Sequence, residues 1–198
     1  MDRYDTIAGG FQEIIELISV SVDTIATPLE RAADLCTEAL LNERKILCCG
    51  NGPGAAIAQL LTTALVHRFE QDRPALPATC LSGDGATMSA IATAAGSHEI
   101  YSRQVRALGQ EGDILLGVAA GEGNSSLIQA IRAAHDRDMV AVVLSGGDCA
   151  DVTSLLHPED IEIHVPSNSP ARIIELQTMI AHCLCKLIDQ TLFGNYDT

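Results

Sequence analysis

Residues 45–54 read Lys45-Ile46-Leu47-Cys48-Cys49-Gly50-Asn51-Gly52-Pro53-Gly54, and this stretch decides the fold. A short apolar strand runs into a glycine-rich turn, and an apolar helical pattern begins at Ala55. Glycines at such a junction let backbone N–H groups approach a ligand closely, and the start of the following helix favours an anion. A tight turn that needs glycine for geometry alone gives the same pattern. The stretch therefore predicts a βα unit and leaves anion binding open.

Apolar runs and helical patterns alternate along the rest of the chain. The helical stretches are 55–70, 97–109, 124–137 and 170–192, and the strand-like runs are 45–49, 76–81, 113–118, 139–144 and 160–165. Strands that alternate with helices predict βαβ units and a mostly parallel sheet. Continuous apolar runs are typical of strands that helices cover on both faces. We therefore expect an α/β fold with three layers, α/β/α.

The first 42 residues contain two further helical patterns. One spans 6–24, and a second is predicted to follow Pro28. We expect a helical extension, 1–42, in front of a main domain, 43–198. The apolar stripes of the extension exceed what one small sheet can cover, so the extension is expected to pack against another subunit.

Composition excludes several classes of protein. The chain has 198 residues and a formal net charge of −14, which argues against direct binding of a nucleic-acid backbone. It has neither an apolar run long enough to span a membrane nor a signal-peptide pattern, so a cytoplasmic location is expected. Its seven cysteines include no CxxC pair and are predicted to be structural thiols of the core.

Three glycine-containing junctions line up at 50–52, 82–85 and 121–125. The first and third, together with residues 68–78, resemble the SIS (sugar isomerase) fold. With segments 104–109, 171–173 and 183–189 added, nearly every residue after about Glu30 resembles the bacterial phosphoheptose (sedoheptulose 7-phosphate) isomerases and the related DnaA initiator-associating proteins. The resemblance implies a flavodoxin-like sheet of five parallel strands and a homotetramer.

The isomerases use a His and a Glu four residues apart on the first helix of the domain, and a Gln and a His on the last helix. The resemblance places these groups at Leu60, Ala64, Ile174 and His182. Hydrocarbon side chains neither coordinate a metal nor transfer a proton. Of the four, only His182 keeps the family residue type. We therefore expect no metal, with zinc required only if the chain is an isomerase after all.

The loops have also lost polar groups. The Ser-Thr-Ser phosphate loop of the isomerases is replaced by Ala119-Ala120-Gly121-Glu122, and Glu122 adds a negative charge where a phosphate would sit. The acidic Asp84 either binds a ligand hydroxyl or fixes its own turn. The candidate ligand-binding residues that remain are Asn51, Gly52, Pro53, Asp84, Asn124 and Ser125. Weak binding of a sugar phosphate is expected from them.

Two functions follow from these residues. In the first, the chain is a non-catalytic oligomer that binds the replication initiator DnaA, with Leu192 and Phe193 near the carboxyl terminus as the partner surface. In the second, it is a phosphoheptose isomerase that converts sedoheptulose 7-phosphate to D-glycero-D-manno-heptose 7-phosphate. A phosphosugar-binding sensor lies between them. The other histidines show no ligand spacing, and Glu159 and Asp160 are expected on a solvated face.

Overall fold

The structure is a computed structural model that describes residues 2–121 and 123–194. Helices and strands alternate over these residues, with a 3₁₀ turn at Ser97–Glu99. The elements are α1 (Arg3–Leu41), β1 (Ile46–Gly50), α2 (Pro53–Val66), β2 (Ala78–Cys80), α3 (Gly85–Ala95), α4 (Ser102–Leu108), β3 (Ile114–Val118), α5 (Ser125–His135), β4 (Val140–Gly146), α6 (Ala150–Thr153), β5 (Ile161–Val165) and α7 (Pro170–Phe193). Among the described helices, none is both long and apolar enough to cross a membrane.

The described strands form one parallel sheet in the order β2-β1-β3-β4-β5. In register, Ile46 of β1 lies opposite Ala78 on one side and Ile114 on the other, and Leu144 of β4 lies between Val118 and Ile163. This is the flavodoxin-like order, in which the direction of winding changes between β1 and β3. The predicted α/β fold with five parallel strands is confirmed.

Helices cover both faces of the sheet, and each face has its own core. Alternate strand residues such as Cys48 and Leu116 pack under α1, α2 and α7. The intervening residues, among them Leu47 and Leu115, pack under α3, α4 and α5. Side chains that alternate between the two faces of a strand explain why the apolar runs are continuous rather than interrupted every second residue.

The expected break between two N-terminal helices is wrong, because α1 is continuous through Pro28. A proline inside a helix lacks one N–H donor and costs about 3 kcal/mol when nothing compensates. Here Ile25 and Leu29, on either side of Pro28, are buried in the core shared with α7. Tertiary packing therefore holds the helix together across the proline.

Other differences from the sequence prediction are local. The predicted helix 97–109 is divided into the 3₁₀ turn and α4, and the predicted strand 76–81 contributes only three residues, β2. Helix α3 was not predicted, because its sequence is rich in Ala, Ser and Thr and it buries one residue, Ile91. The four-residue helix α6 is too short for a periodic pattern.

Candidate functional site at the carboxyl edge of the sheet

A cleft of about 630 Å³ opens at the carboxyl ends of β1 and β3, where the winding of the sheet reverses. Parallel sheets of this kind bind ligands at this point. The wall consists of the loop after β1, the loop after β3 and the first turn of α7. The lining residues are Asn51, Gly52, Pro53, Val118, Ala120, Asn124, Pro170, Ala171, Ile174 and Glu175. Four of the six candidate ligand-binding residues thus meet in one cleft.

Two glycines make the first loop possible. Gly52 precedes α2 with a φ of 51°, in the left-handed region that favours glycine. A Cβ atom on Gly54 would lie 2.9 Å from the backbone oxygen of Val118, closer than carbon atoms approach in proteins. The first turn of α2 therefore packs directly against the end of β3, which brings the two loops to opposite sides of one narrow cleft.

Side-chain amides tie the two loops together. Asn51 Nδ2 donates to the Gly123 carbonyl at 3.3 Å, and the Ser126 hydroxyl donates to Asn51 Oδ1 at 3.0 Å. Asn124 Nδ2 donates to the Gly121 carbonyl at 2.7 Å. Both asparagines were expected to contact a ligand, and both use their amide groups to hold loop backbone. The structure therefore shows that both asparagines hold the loops in place, and their contact with a ligand stays a prediction.

Two helix starts meet at the cleft. Helix α2 begins after Gly52 and α5 begins after Asn124, and no side chain caps either start. In α2, Pro53 lacks an N–H, and the N–H groups of Gly54 and Ala55 donate to the carbonyls of Asn51 and Gly52, so α2 favours an anion mainly through the positive end of its dipole. Uncapped backbone N–H groups at the start of α5 add to this. Ser125, the first residue of α5, is exposed beside them. The backbone here can receive a phosphate or carboxylate without help from the hydroxyl groups of the isomerase loop.

The charge at the rim opposes an anion in part. Among the described lining residues, Glu175 carries a charge, and Arg172 Nη2 donates to its Oε1 at 2.7 Å. Arg172 also donates to the Gly10 carbonyl of α1, so its guanidinium is already engaged. Glu122, expected to add a further negative charge, lies outside the described residues. An anion in this cleft would depend mainly on backbone donors.

Asp84 caps a helix. Its carboxylate accepts hydrogen bonds from the backbone N–H groups of Ala86 and Thr87, both at 3.0 Å, and from the Thr87 hydroxyl at 2.6 Å. The Thr87 hydroxyl, followed by the two N–H groups, lowers the pKa of Asp84 below its ordinary value. Of the two roles weighed from the sequence, the structure accounts for the one in which Asp84 fixes the start of α3.

A buried tyrosine supports the end of β1. Tyr101 Oη donates to the Gly50 carbonyl at 2.5 Å, and the Ser82 hydroxyl lies 3.1 Å from both of those oxygens. Burial raises the pKa of Tyr101 above its ordinary value. The sequence did not indicate this role, because Tyr101 and Gly50 are 51 residues apart. The network fixes the point at which the chain leaves the sheet for the cleft.

Three of the four positions that hold polar groups in the isomerases carry aliphatic side chains that pack in this chain. Ala64 is buried in the core, and Leu60 packs against it. Ile174 is half-buried and lines the cleft, whereas His182 is exposed beside Phe69, with ring centroids 5.6 Å apart. His182 is also eight residues along α7 from Ile174, a rise of about 12 Å. This donor set does not fit the metal that the family resemblance implies.

The two apolar residues at the end of α7 are each half-buried. Leu192 and Phe193 pack against the core, and the Phe193 ring centroid lies 5.9 Å from the guanidinium carbon of Arg73. Arg73 in turn donates to the Ala64 carbonyl at 2.7 Å and to Asp189 Oδ1 at 2.8 Å. Part of each apolar side chain faces solvent next to this buried ion pair.

One expectation about acidic residues is wrong. Glu159 is exposed as predicted, but Asp160 is buried, with a side-chain exposure of 0%. Its carboxylate accepts a hydrogen bond from the backbone N–H of Ala141 at 2.7 Å and lies 2.8 Å from His135 Nε2. Sequence spacing does not reveal this contact, because 25 residues separate His135 from Asp160.

Comparison with known proteins gives one fold, and the relatives found carry two different protein names. A family model described as "SIS domain" matches residues 11–146. The chain is 45% identical over 195 residues to a phosphoheptose isomerase of Chromohalobacter salexigens, covering 98% of this chain and 99% of that protein. It is 42% identical over 193 residues to the DnaA initiator-associating protein DiaA of Yersinia enterocolitica, covering 98% of each. The solved structure of a phosphoheptose isomerase from Francisella tularensis matches with a TM-score of 0.92 at 37% identity, covering 96% of this chain and 100% of that one.

Proposed function

Because the chain belongs to the SIS domain family, we propose that it is a non-catalytic member that assembles into an oligomer and binds the replication initiator DnaA. The observation that carries this proposal is the replacement of polar groups by hydrocarbon at Leu60, Ala64 and Ile174. Isomerisation needs a base that takes a proton beside the carbonyl and an acid for the oxygen. The cleft lining between Asn51 and Glu175 offers no such pair among its described residues, and His182 is exposed on another part of α7.

The choice of partner rests on the relatives and on the end of α7. Relatives of 42% identity from Yersinia enterocolitica and Shigella flexneri are named for their association with DnaA. Leu192 and Phe193 place two large apolar side chains, each half-exposed, at the last turn of α7. Partly exposed aromatic side chains beside an arginine are common binding hot spots. The acidic surface of the chain would steer a basic partner, and a DnaA partner places the protein in the cytoplasm.

Assembly is supported by α1. Its amino-terminal half exposes large apolar side chains three or four residues apart, including Tyr4 (73% exposed), Ile7 (62%), Phe11 (67%) and Ile15 (57%). Such a stripe covers one face of a helix, and soluble monomers rarely leave one open to water. The expectation that all of residues 1–42 pack against another subunit is wrong, because the second half of α1 packs on α7 and β5 of the same chain. We propose that a second copy of the chain covers the stripe on the first half, within a homotetramer.

A binding experiment tests the partner surface. Phe193→Ala should weaken capture of purified DnaA at least tenfold, equivalent to about 1.4 kcal/mol. Leu108→Ala is the matched control, because Leu108 is also the last residue of a helix and is 44% exposed. Light scattering must give the same molar mass for both variants. Equal capture by the two variants, or a loss that comes only from dissociation of the oligomer, would show that the partner binds elsewhere.

A second candidate function is binding of a sugar phosphate without turnover. The two uncapped helix starts at the cleft favour it. Because the hydroxyls of the isomerase phosphate loop are missing near Ala119 and Ala120, we expect a Kd on the order of millimolar, about −4 kcal/mol. Titration with sedoheptulose 7-phosphate, followed by chemical shifts, measures it. Micromolar binding would favour the sensor or isomerase interpretation.

A further inference from the structure

Three potential metal ligands meet at the amino-terminal edge of the sheet, opposite the cleft. His135 is the last residue of α5, Asp160 directly precedes β5, and His157 lies in the loop between α6 and β5. One ligand atom from each lies within 4.8 Å of the other two. Helix α5 has 11 residues, so its His135 end is about 15 Å from its start at the cleft. The cluster therefore plays no part in the site described above.

The carboxylate of the cluster is held in place. Asp160 Oδ1 accepts the backbone N–H of Ala141 at 2.7 Å, and Oδ2 accepts the backbone N–H of His157 at 2.8 Å. Its side chain is completely buried. Hydrogen bonds that orient a ligating carboxylate are a regular feature of protein metal sites. The same loop carries Glu159, whose carboxylate lies 3.7 Å from His157 Nδ1 and adds negative charge near a cation.

The two imidazoles are stacked. The ring centroids of His135 and His157 are 3.8 Å apart, with an angle of 14° between the planes. The lone pair of a neutral imidazole nitrogen lies in the plane of its ring, so one of the two stacked rings must turn for both to bind the same ion. Two imidazoles and one carboxylate form a common donor set for zinc and related transition metals.

His135 Nε2 and Asp160 Oδ2 are 2.8 Å apart, a hydrogen-bond distance, and two donors about 2.1 Å from one tetrahedral ion would lie about 0.6 Å further apart than this. The His157 side chain is 52% exposed, so its ring has room to turn toward the same ion. We propose that His135, His157 and Asp160 bind a divalent zinc ion that joins the end of α5 to the loop before β5.

Calorimetric titration of the metal-free protein with zinc chloride at pH 7.5 tests the proposal. We expect about one zinc per chain, weakened at least tenfold in His157→Ala. His135→Gln should show the same loss, because glutamine keeps a donor toward Asp160 but removes the imidazole ligand. His67→Ala and His182→Ala are controls, since both histidines are exposed and lie outside the cluster. They should bind zinc like the unmodified chain.

Cobalt absorption gives a second measurement. Cobalt in place of zinc should produce visible absorption bands that are lost in His157→Ala and kept in His182→Ala. The proposal is overturned if the unmodified chain binds no zinc, if His157→Ala binds zinc as tightly as the unmodified chain does, or if the binding is lost in His182→Ala. Circular dichroism of the metal-free variants, if unchanged, excludes misfolding as the cause of a loss.

Discussion

Replacing Ser126 by alanine tests the contact between the two loops of the cleft. The Ser126 hydroxyl donates to Asn51 Oδ1 at 3.0 Å, and Ser126 is only 4% exposed. A neutral hydrogen bond contributes about 1 kcal/mol net, and leaving a half-buried acceptor without its donor costs a similar amount. We therefore expect Ser126→Ala to lower the free energy of unfolding by about 1 kcal/mol, roughly a fivefold change in the unfolding equilibrium.

Ser125→Ala is the matched control, because Ser125 is the neighbouring residue of the same helix turn and is exposed. Both changes replace serine by alanine near the start of α5, so the gain in helix propensity largely cancels between them. Urea unfolding at one fixed protein concentration measures both variants, since the stability of an oligomer depends on concentration. We expect Ser125→Ala to stay within about 0.5 kcal/mol of the unmodified chain. If the two variants are equally stable, the hydrogen bond between Ser126 and Asn51 contributes nothing to stability.

Three further predictions concern assembly and the core. Leu184 in α7 is completely buried, so Leu184→Lys should lower the free energy of unfolding by at least about 3 kcal/mol and abolish the cooperative thermal transition. A variant whose unfolding midpoint lies within a few degrees of that of the unmodified chain would contradict this. Phe11→Asp places a charge on the exposed stripe of α1 and should reduce the molar mass seen by light scattering, whereas an unchanged mass would show that the stripe is not an interface. Burial raises the pKa of Cys48 to about 12, so the thiolate is nearly absent at pH 8. Native thiol labelling should therefore reach only the half-buried Cys80 and Cys183, and rapid labelling of Cys48 would contradict the packing.

Strands β1, β3 and β4 were predictable because they are buried on both faces, and a buried parallel strand needs apolar residues at successive positions. The edge strands also fall within predicted runs, although β5 exposes His164 and β2 is not fully buried. Helices were harder. The sequence around Pro28 indicates a break, but packing of α1 on α7 outweighs one missing hydrogen bond. Helix α3 lacks an apolar stripe, and its signal in the sequence is the capping residue Asp84 ahead of an alanine-rich stretch.

The location of the cleft was predictable, but the use of its side chains was not. Residues that follow parallel strands converge at one edge, which brings Asn51 and Asn124 together. The hydrogen bond from Asn51 to the Gly123 carbonyl depends on the final separation of the two loops, which no spacing rule gives. Asn124 donates within its own loop, to the Gly121 carbonyl. The contact between His135 and Asp160 likewise depends on how α5 packs on β3 and β4 and on the path of the loop before β5.

An activity assay tests the central proposal, the loss of isomerase chemistry, most directly. The purified chain is incubated with sedoheptulose 7-phosphate, with and without added zinc, and the phosphoheptose isomerase from Francisella tularensis serves as the positive control. We expect no product above the protein-free blank under either condition. The reason is that the aliphatic side chains of Leu60, Ala64 and Ile174 stand where the isomerases have polar groups. Formation of D-glycero-D-manno-heptose 7-phosphate in proportion to the amount of chain, and its loss in His182→Ala, would show that the chain is an isomerase.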